Sequence, residues 1–409
     1  MLDTVAITAG SLPEEGAERL RRERQEKLRA MIRRFDIPAL LLSDPVSIRY
    51  ACDARNMQVY ALNHDARYLF LAAEGPAVLF DWVVKPVYFG HLSTLDEVRL
   101  CQPYGYVAEG DEPEDRARRL WAAEIADLVR THCGQDRRLG IDRLSPFASF
   151  ALAREGVEVV DGSAPLFQAR AMKSADEIAA IRVAMAACDA GFAKLRSGWR
   201  PGITEVELWA ELHHTNIAWE GEWINARYLT SGQRTNPWSQ EASLKVIAPG
   251  EVIGCDSDLI GPYGYAADIS RSWIAEGRPD DRQRRLYAQS YAHLQANIAL
   301  CRPGTSFREL TAENYRLPAE VSEQMFNSFA HGIGLENEWP VIKYAGKVDV
   351  KGGYGGGYDG VLQPGMTLCI ESYVGEEDGP DGIKLEEQIL VTEGAPEVLS
   401  RVPFEEDWL

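Results

Sequence analysis

The stretch GCDSDLIGPYGYAADISRSW, residues 254–273, sets Asp256 and Asp258 two apart and brings Asp268 ten residues later. Its lead-in, VIAPGEVIGC, is apolar and reads as a buried strand. Residues two apart on a strand share a face, so Asp256 and Asp258 point the same way and Asp268 can meet them from a neighbouring strand. Glu371 and Glu386 occupy similar apolar runs near the C-terminus. Carboxylates gathered in a partly buried place repel one another unless a cation joins them. Two divalent cations would offset four of the five negative charges on Asp256, Asp258, Asp268, Glu371 and Glu386. One imidazole, His331 in FAHGIGLENEWP, would complete the set, with Gly332 and Gly334 letting backbone approach a ligand closely. Oxygen-rich ligands with a single imidazole suit manganese, iron, cobalt or zinc.

A duplicated frame would carry these residues to one place. RPGITEVEL (200–208) matches RPGTSFREL (302–310), and VIAPGEVIGCDSD (246–258) matches VLQPGMTLCIESY (361–373). In both copies the first acid, Asp256 or Glu371, comes seven residues after the proline of Pro-Gly. A second acid follows, Asp268 in the first copy and Glu386 in the second. The spacing predicts two half-domains of helices plus a strand pair, related by a pseudo-twofold that brings the acidic hairpins to the centre. Capping boxes at Ser174–Glu177 and Thr204–Glu207 predict helix starts. Upstream, residues 14–35 and 117–133 read as helices, and 37–44, 66–73, 76–82, 137–142 and 157–162 read as strands. That alternation predicts a mixed α/β domain over 1–165, followed by a second domain over 166–409.

The whole chain has 409 residues, 45% hydrophobic and 26% charged, with a net charge of −19. The negative charge argues against a nucleic-acid partner. No run of about 18 apolar residues is present, so no membrane span is expected. The N-terminus lacks the pattern of a secretory signal. Seven scattered cysteines without a CxxC pair read as reduced core thiols of a cytoplasmic protein, not as a zinc site.

These motifs resemble the peptidase M24 superfamily, the creatinase and aminopeptidase P group with the pita-bread fold. The resemblance rests on Asp256-x-Asp258, Asp268-x-x-x-Arg-x-Trp, His331-Gly-Ile-Gly, Glu371 in CIES and Glu386 in KLEEQILVTE, and on KSADEIAAIRVA (173–184) as a linker helix. It covers roughly residues 165–400 and implies an α+β enzyme with a creatinase-type N-terminal domain. It implies two metals: Asp256 and Asp258 on one, Asp258 and Glu386 bridging with Asp268 and Glu371, and His331 on the other. It also implies a homodimer, with loop 52–66 as the segment that caps the neighbouring subunit's site.

Peptidase members carry a histidine in the loop that is here RYLTSGQRTNPWSQEAS (227–243), and a second one where Glu336–Trp339 stands; this chain has neither. Its stretches 55–81, 231–243, 258–273 and 365–376 are similar to the dimethylsulfoniopropionate (DMSP) lyases related to M24 peptidases. That resemblance implies C–S β-elimination on a small carboxylate-bearing zwitterion, releasing dimethyl sulfide and acrylate. A sulfonium would suit an aromatic cage, for which Trp219, Trp223, Trp238, Tyr263, Tyr265 and Trp339 are available. The lyase aspartate and tyrosine positions fall on Asn337 and Phe326, and Glu336 and Glu338 are nearby substitutes for the base. The alternative is a hydrolase of the Xaa-Pro dipeptidase kind, with Glu371 as base.

Overall fold

The computed structural model describes residues 12, 14–65, 67–104, 111–345, 347 and 357–409. Residues 1–11 and 13 of the N-terminus read for a signal, and Ala66 of loop 52–66, lie outside the described residues. The chain divides into two compact units, 13–170 and 1–12 with 171–409.

In the first unit, six strands are ordered β4-β3-β2-β1-β5-β6. They are β1 (Ala39–Leu42), β2 (Tyr68–Ala72), β3 (Ala77–Asp81), β4 (Glu97–Leu100), β5 (Arg138–Ile141) and β6 (Glu158–Asp161). β1–β2 and β2–β3 run antiparallel, and β3–β4, β1–β5 and β5–β6 parallel. The central strands β1, β2 and β3 are buried along their whole length, which is why they read as continuous apolar runs. Helices α1 (Glu14–Arg34) and α2 (Asp111–His132) accompany the sheet. Trp121 and Ile125 of α2 share a core with Tyr68, Phe70 and Phe80.

The second unit shows the predicted duplication. Helices α3 (Ala175–Gly198) and α4 (Glu205–Ala218) belong to the first half, α5 (Asp281–Leu300) and α6 (Phe307–Glu313) to the second. All four begin with a capping box: Ser174/Glu177, Thr204/Glu207, Asp280/Gln283 and Ser306/Glu309. Thr204 bridges Val246 in one half, and Ser306 bridges Val361 in the other. These are the residues that the two sequence matches pair.

The first half continues with β7 (Trp223–Ile224), β8 (Leu229–Ser231), β9 (Val252–Asp256), β10 (Leu259–Ile260), β11 (Ala266–Ala267) and β12 (Ser270–Ile274). They form sheets β11-β10-β7 and β12-β9-β8. The second half supplies the sheet β14-β13-β15-β16-β17, from β13 (Ser328–Ile333), β14 (Asn337–Lys343), β15 (Thr367–Gly375), β16 (Gly382–Leu390) and β17 (Glu397–Val398). One side chain stitches β12 to β16. Ser272 Oγ accepts from Lys384 N at 3.0 Å and donates to Lys384 O at 2.9 Å.

Every residue of β15 and β16 is buried, yet their two faces differ. Leu368, Ile370, Val374, Ile383, Leu385 and Ile389 join Leu286, Tyr287, Leu294 and Ile298 of α5 in one apolar core. The alternation of a strand then turns Cys369 and Glu371, and Lys384, Glu386 and Gln388, to the other face. The strands are apolar because one face packs on helices; they carry charge because the other faces the pseudo-twofold centre.

Candidate metal centre

Each half contributes a hairpin of acids. In the second, Glu371 and Glu386 are directly opposed in the β15–β16 register. In the first, Asp256 ends β9 opposite Ser270, and Asp268 stands just before β12. Asp258 departs from the strand expectation. It lies beyond the end of β9 with φ 42°, in left-handed backbone, and its amide donates to Asp268 Oδ1 at 3.2 Å. Asp256 and Asp258 therefore converge through a kink, not by sharing a strand face. A short polar side chain tolerates that conformation better than most.

Two clusters able to hold a cation result, each with ligand atoms within 4.8 Å of one another: Asp256, Asp258 and Asp268, and Asp268, His331, Cys369 and Glu386. They share Asp268. His331 Nε2 lies 3.5 Å from Glu371 Oε1, 3.8 Å from Glu386 Oε1 and 3.9 Å from Asp268 Oδ2. Bonds of about 2.0–2.2 Å from one cation would span such separations. His331 Nδ1 is 3.1 Å from the Gly332 carbonyl. A carbonyl only accepts, so Nδ1 carries a proton, and Nε2, which meets Glu371 through its own proton when no cation is held, is the nitrogen whose lone pair a cation would take.

Gly332 and Gly334 make room for the neighbouring strand. A Cβ on Gly332 would stand 2.4 Å from Trp339 O, and one on Gly334 would stand 2.5 Å from the Glu338 carboxylate. Both glycines permit the irregular β13–β14 pairing beside His331.

The electrostatics are those of an acid cluster short of positive charge. Burial, then Glu386, holds the Asp256 and Asp268 carboxyls well above the ordinary carboxylate range. The same causes raise Asp258 to about 7. Glu371 goes the other way: burial works against its charge, but Lys384 and His331 overcome it and hold the group down at about 2. Burial opposes charge on His331 too, and a hydrogen bond with Glu371 more than restores it. Asp256 Oδ1 and Glu386 Oε1 are buried without a hydrogen-bond partner. Orphaned anionic oxygens beside an imidazole nitrogen that a cation could take in place of its proton fit a divalent cation.

Several residues of this face lay outside the sequence reading. Lys384 Nζ is 2.6 Å from Glu371 Oε2 and 2.8 Å from Glu386 Oε2. Ser270 Oγ donates to Glu386 Oε2 at 2.8 Å. Gln388 Oε1 accepts from the Asp268 amide at 3.0 Å. Cys369 Sγ lies 3.6 Å from Asp268 O, and burial keeps it a neutral thiol. The signal was present: Cys369 stands two residues before Glu371, and Lys384 and Gln388 flank Glu386 at the same spacing.

The aromatic candidates separate. Trp238 and Phe326 present ring faces to the Lys384 ammonium at 5.8 Å and 5.7 Å. Trp238 also packs on Gly254, where a Cβ would stand 2.9 Å from the indole. Its loop is anchored at both ends by Glu205, which accepts from Ser231 N at 2.8 Å and Ser243 Oγ at 2.7 Å. Trp223 packs on a small cluster containing Ile333 and Cys369. Trp339 and Tyr265 make contacts of their own. Trp339 meets Phe307 edge to face at 5.4 Å, and the Tyr265 hydroxyl donates to Glu177 Oε1 at 3.1 Å. Tyr263, at φ 61°, accepts from Leu12 N at 2.8 Å.

The lyase-aspartate position and one substitute base have other surroundings. Asn337 is exposed at the start of β14. Glu338 is buried in an ion pair with Lys173, 2.9 Å away, and accepts from Leu335 N at 3.1 Å.

A profile of metallopeptidase family M24 matches residues 179–393. The chain is 37% identical to dimethylsulfoniopropionate lyase DddP of Roseobacter denitrificans, over 94% of this chain and 86% of that one. It is 35% identical to the DddP of Roseovarius nubinhibens, over 97% and 89%. Among solved structures it is similar to an Xaa-Pro dipeptidase from Bacillus anthracis, with TM-score 0.72 and 23% identity over 94% of this chain and 98% of that one. A prolidase from Pyrococcus horikoshii matches at TM-score 0.70 and 20% identity, over 94% and 99%. The pita-bread architecture and the resemblance read from the motifs are both borne out. The chain belongs to metallopeptidase family M24 and is an enzyme of that family.

Proposed function

We propose that the protein is a DMSP-lyase-like enzyme, cleaving a C–S bond by β-elimination in a small carboxylate-bearing zwitterion. The carrying observation is the likeness to the two DddP lyases, which extends through both units at 35–37% identity. The site adds to it. Loop 227–243 and segment 336–339 lack the histidines that peptidase chemistry would use, and the first of these loops offers Trp238 instead.

The proposed ligand set is Asp256, Asp258, Asp268, His331, Glu371 and Glu386, holding two divalent cations of the manganese, iron, cobalt or zinc kind. When bound, such cations supply Lewis acidity that holds a carboxylate and acidifies the hydrogens beside it. The chain's own residues do the rest. His331 and the acids fix where the carboxylate sits. Trp238 and Phe326, whose rings also border Lys384, offer aromatic surface to a sulfonium, with Trp223 and Tyr263 as further candidates. An amide at 337 cannot take up a proton, and the Glu338 carboxylate is occupied by Lys173, so of the candidates for taking the proton beside the carboxylate, as the C–S bond breaks, Glu336 is the one we assign.

The family profile favours a second reading, hydrolysis of an Xaa-Pro dipeptide with Glu371 as base. We further propose a cytoplasmic homodimer. Among the described residues, no helix is long and apolar enough to cross a membrane. Met57, Val59 and Tyr60 of the 52–66 loop are exposed and available for a partner. Sedimentation at micromolar concentration checks this, with a dimer mass expected. The activity test is headspace dimethyl sulfide from metal-loaded protein given DMSP. Sulfide release is expected; proline release from Gly-Pro with no sulfide would overturn the lyase reading.

A further inference from the structure

Lys384 is a charged side chain at the centre that neither the ligand set nor the proposed reaction uses. Its side chain is 1% exposed. Its backbone is fixed, because Ser272 Oγ bonds both its amide and its carbonyl. Its ammonium reaches Glu371 Oε2 at 2.6 Å, Glu386 Oε2 at 2.8 Å, Asp256 Oδ2 at 3.6 Å and Ser270 Oγ at 2.8 Å. Trp238 and Phe326 close over it. The two glutamates divide their oxygens in the same way. Each turns Oε2 to Lys384 and Oε1 to His331 Nε2, at 3.5 Å for Glu371 and 3.8 Å for Glu386.

We propose that Lys384 is a positioning residue of the metal centre: it grips the Oε2 atoms of Glu371 and Glu386 and so keeps their Oε1 atoms and His331 Nε2 aimed at one cation site. The proposal rests on the reading of this cluster as a metal centre, but not on which reaction it performs. It divides the work within each carboxylate. The inner oxygen is left for a metal, and the outer one is held by a cation that cannot leave. Ser270 completes the grip, accepting from Lys384 and donating to Glu386 Oε2.

A positioning role and a purely coulombic one predict opposite signs. Removing a positive charge beside a metal site would tighten binding of a divalent cation. Removing the group that aims two ligands loosens it, by about 10–100-fold for outer partners of metal ligands. The test is manganese and zinc affinity by competition with a chromophoric chelator, on full-length wild type, Lys384→Met, Lys384→Arg and Ser270→Ala. Lys384→Met is expected to bind at least about tenfold more weakly. Lys384→Arg should recover most of the loss, and Ser270→Ala should fall between. Equal or tighter binding by Lys384→Met overturns the proposal. If that variant does not fold, Ser270→Ala decides: weaker binding supports the grip and unchanged binding overturns it. Wild type that takes up neither metal would sink the metal reading and this role together. A missing lyase activity with intact affinity differences would sink only the choice of reaction.

Discussion

Two buried lysines in the second unit make an instructive contrast. Lys173 faces one carboxylate, Glu338, at 2.9 Å, and both side chains are 1% exposed. Lys384 faces three, Asp256, Glu371 and Glu386, with Asp258 and Asp268 just beyond. The first pair is balanced and needs nothing more. The second is several charges short of balance in a place from which water is largely removed. Evolution has no structural reason to bury such an excess, since closing a buried ion pair brings little stability and an unpaired buried charge is strongly destabilising. The imbalance therefore supports the proposed reading of this cluster as a site for cations.

The contrast breaks most sharply at Asp268, which both clusters share. Asp268→Asn should abolish uptake of at least one metal and lower turnover on the order of a thousandfold. Elemental analysis and the sulfide assay check this. Glu338→Gln does the opposite. It leaves Lys173 buried without its partner and should destabilise the fold by about 3–5 kcal/mol. Metal content of the folded fraction should stay at the wild-type value, as urea melts with elemental analysis would report.

Acidity sharpens the contrast next. The Asp256, Asp258 and Asp268 carboxyls are raised in the folded protein, so between the unfolded and folded values the native state binds more protons than the unfolded one. Stability of the metal-free protein should then fall as pH rises from about 4 toward the Asp258 value of about 7. Bound metal should flatten that fall, because it replaces the protons. Melting temperatures across the range, with and without a chelator, check the sign. The smallest effect belongs to the aromatic wall. Trp238→Ala should raise KM for a sulfonium substrate about tenfold with little change in kcat, in line with a cation–π contact of about 1–2 kcal/mol.

Much of this was legible in the sequence, for reasons that can be named. The duplication carried the acids: equal distances from Pro-Gly to Asp256 and Glu371 put them at equivalent places, and the β-bridges at Thr204 and Ser306 repeat that equivalence. Capping boxes fixed the helix starts because their signal is local. Other features depended on distant partners. Glu338 looked available until Lys173, far away in the chain, closed on it. The bond from the Tyr265 hydroxyl to Glu177, 88 residues away, is of the same kind. Asp258 looked like a strand residue, but its backbone turns left-handed. Lys384 was hidden in plain view within KLEEQILVTE, because a cation among metal ligands is not what an acid pattern asks for.

The proposed chemistry requires cations to gather at the meeting point of the two halves. The direct measurement is anomalous diffraction from crystals of the manganese-loaded protein, recorded at the metal edge. Two peaks are expected about 3.5–4 Å apart, one against Asp256 and Asp258 and the other against His331, with Asp268 between them. A loaded protein showing no peak there, or peaks only at surface carboxylates, would contradict the account.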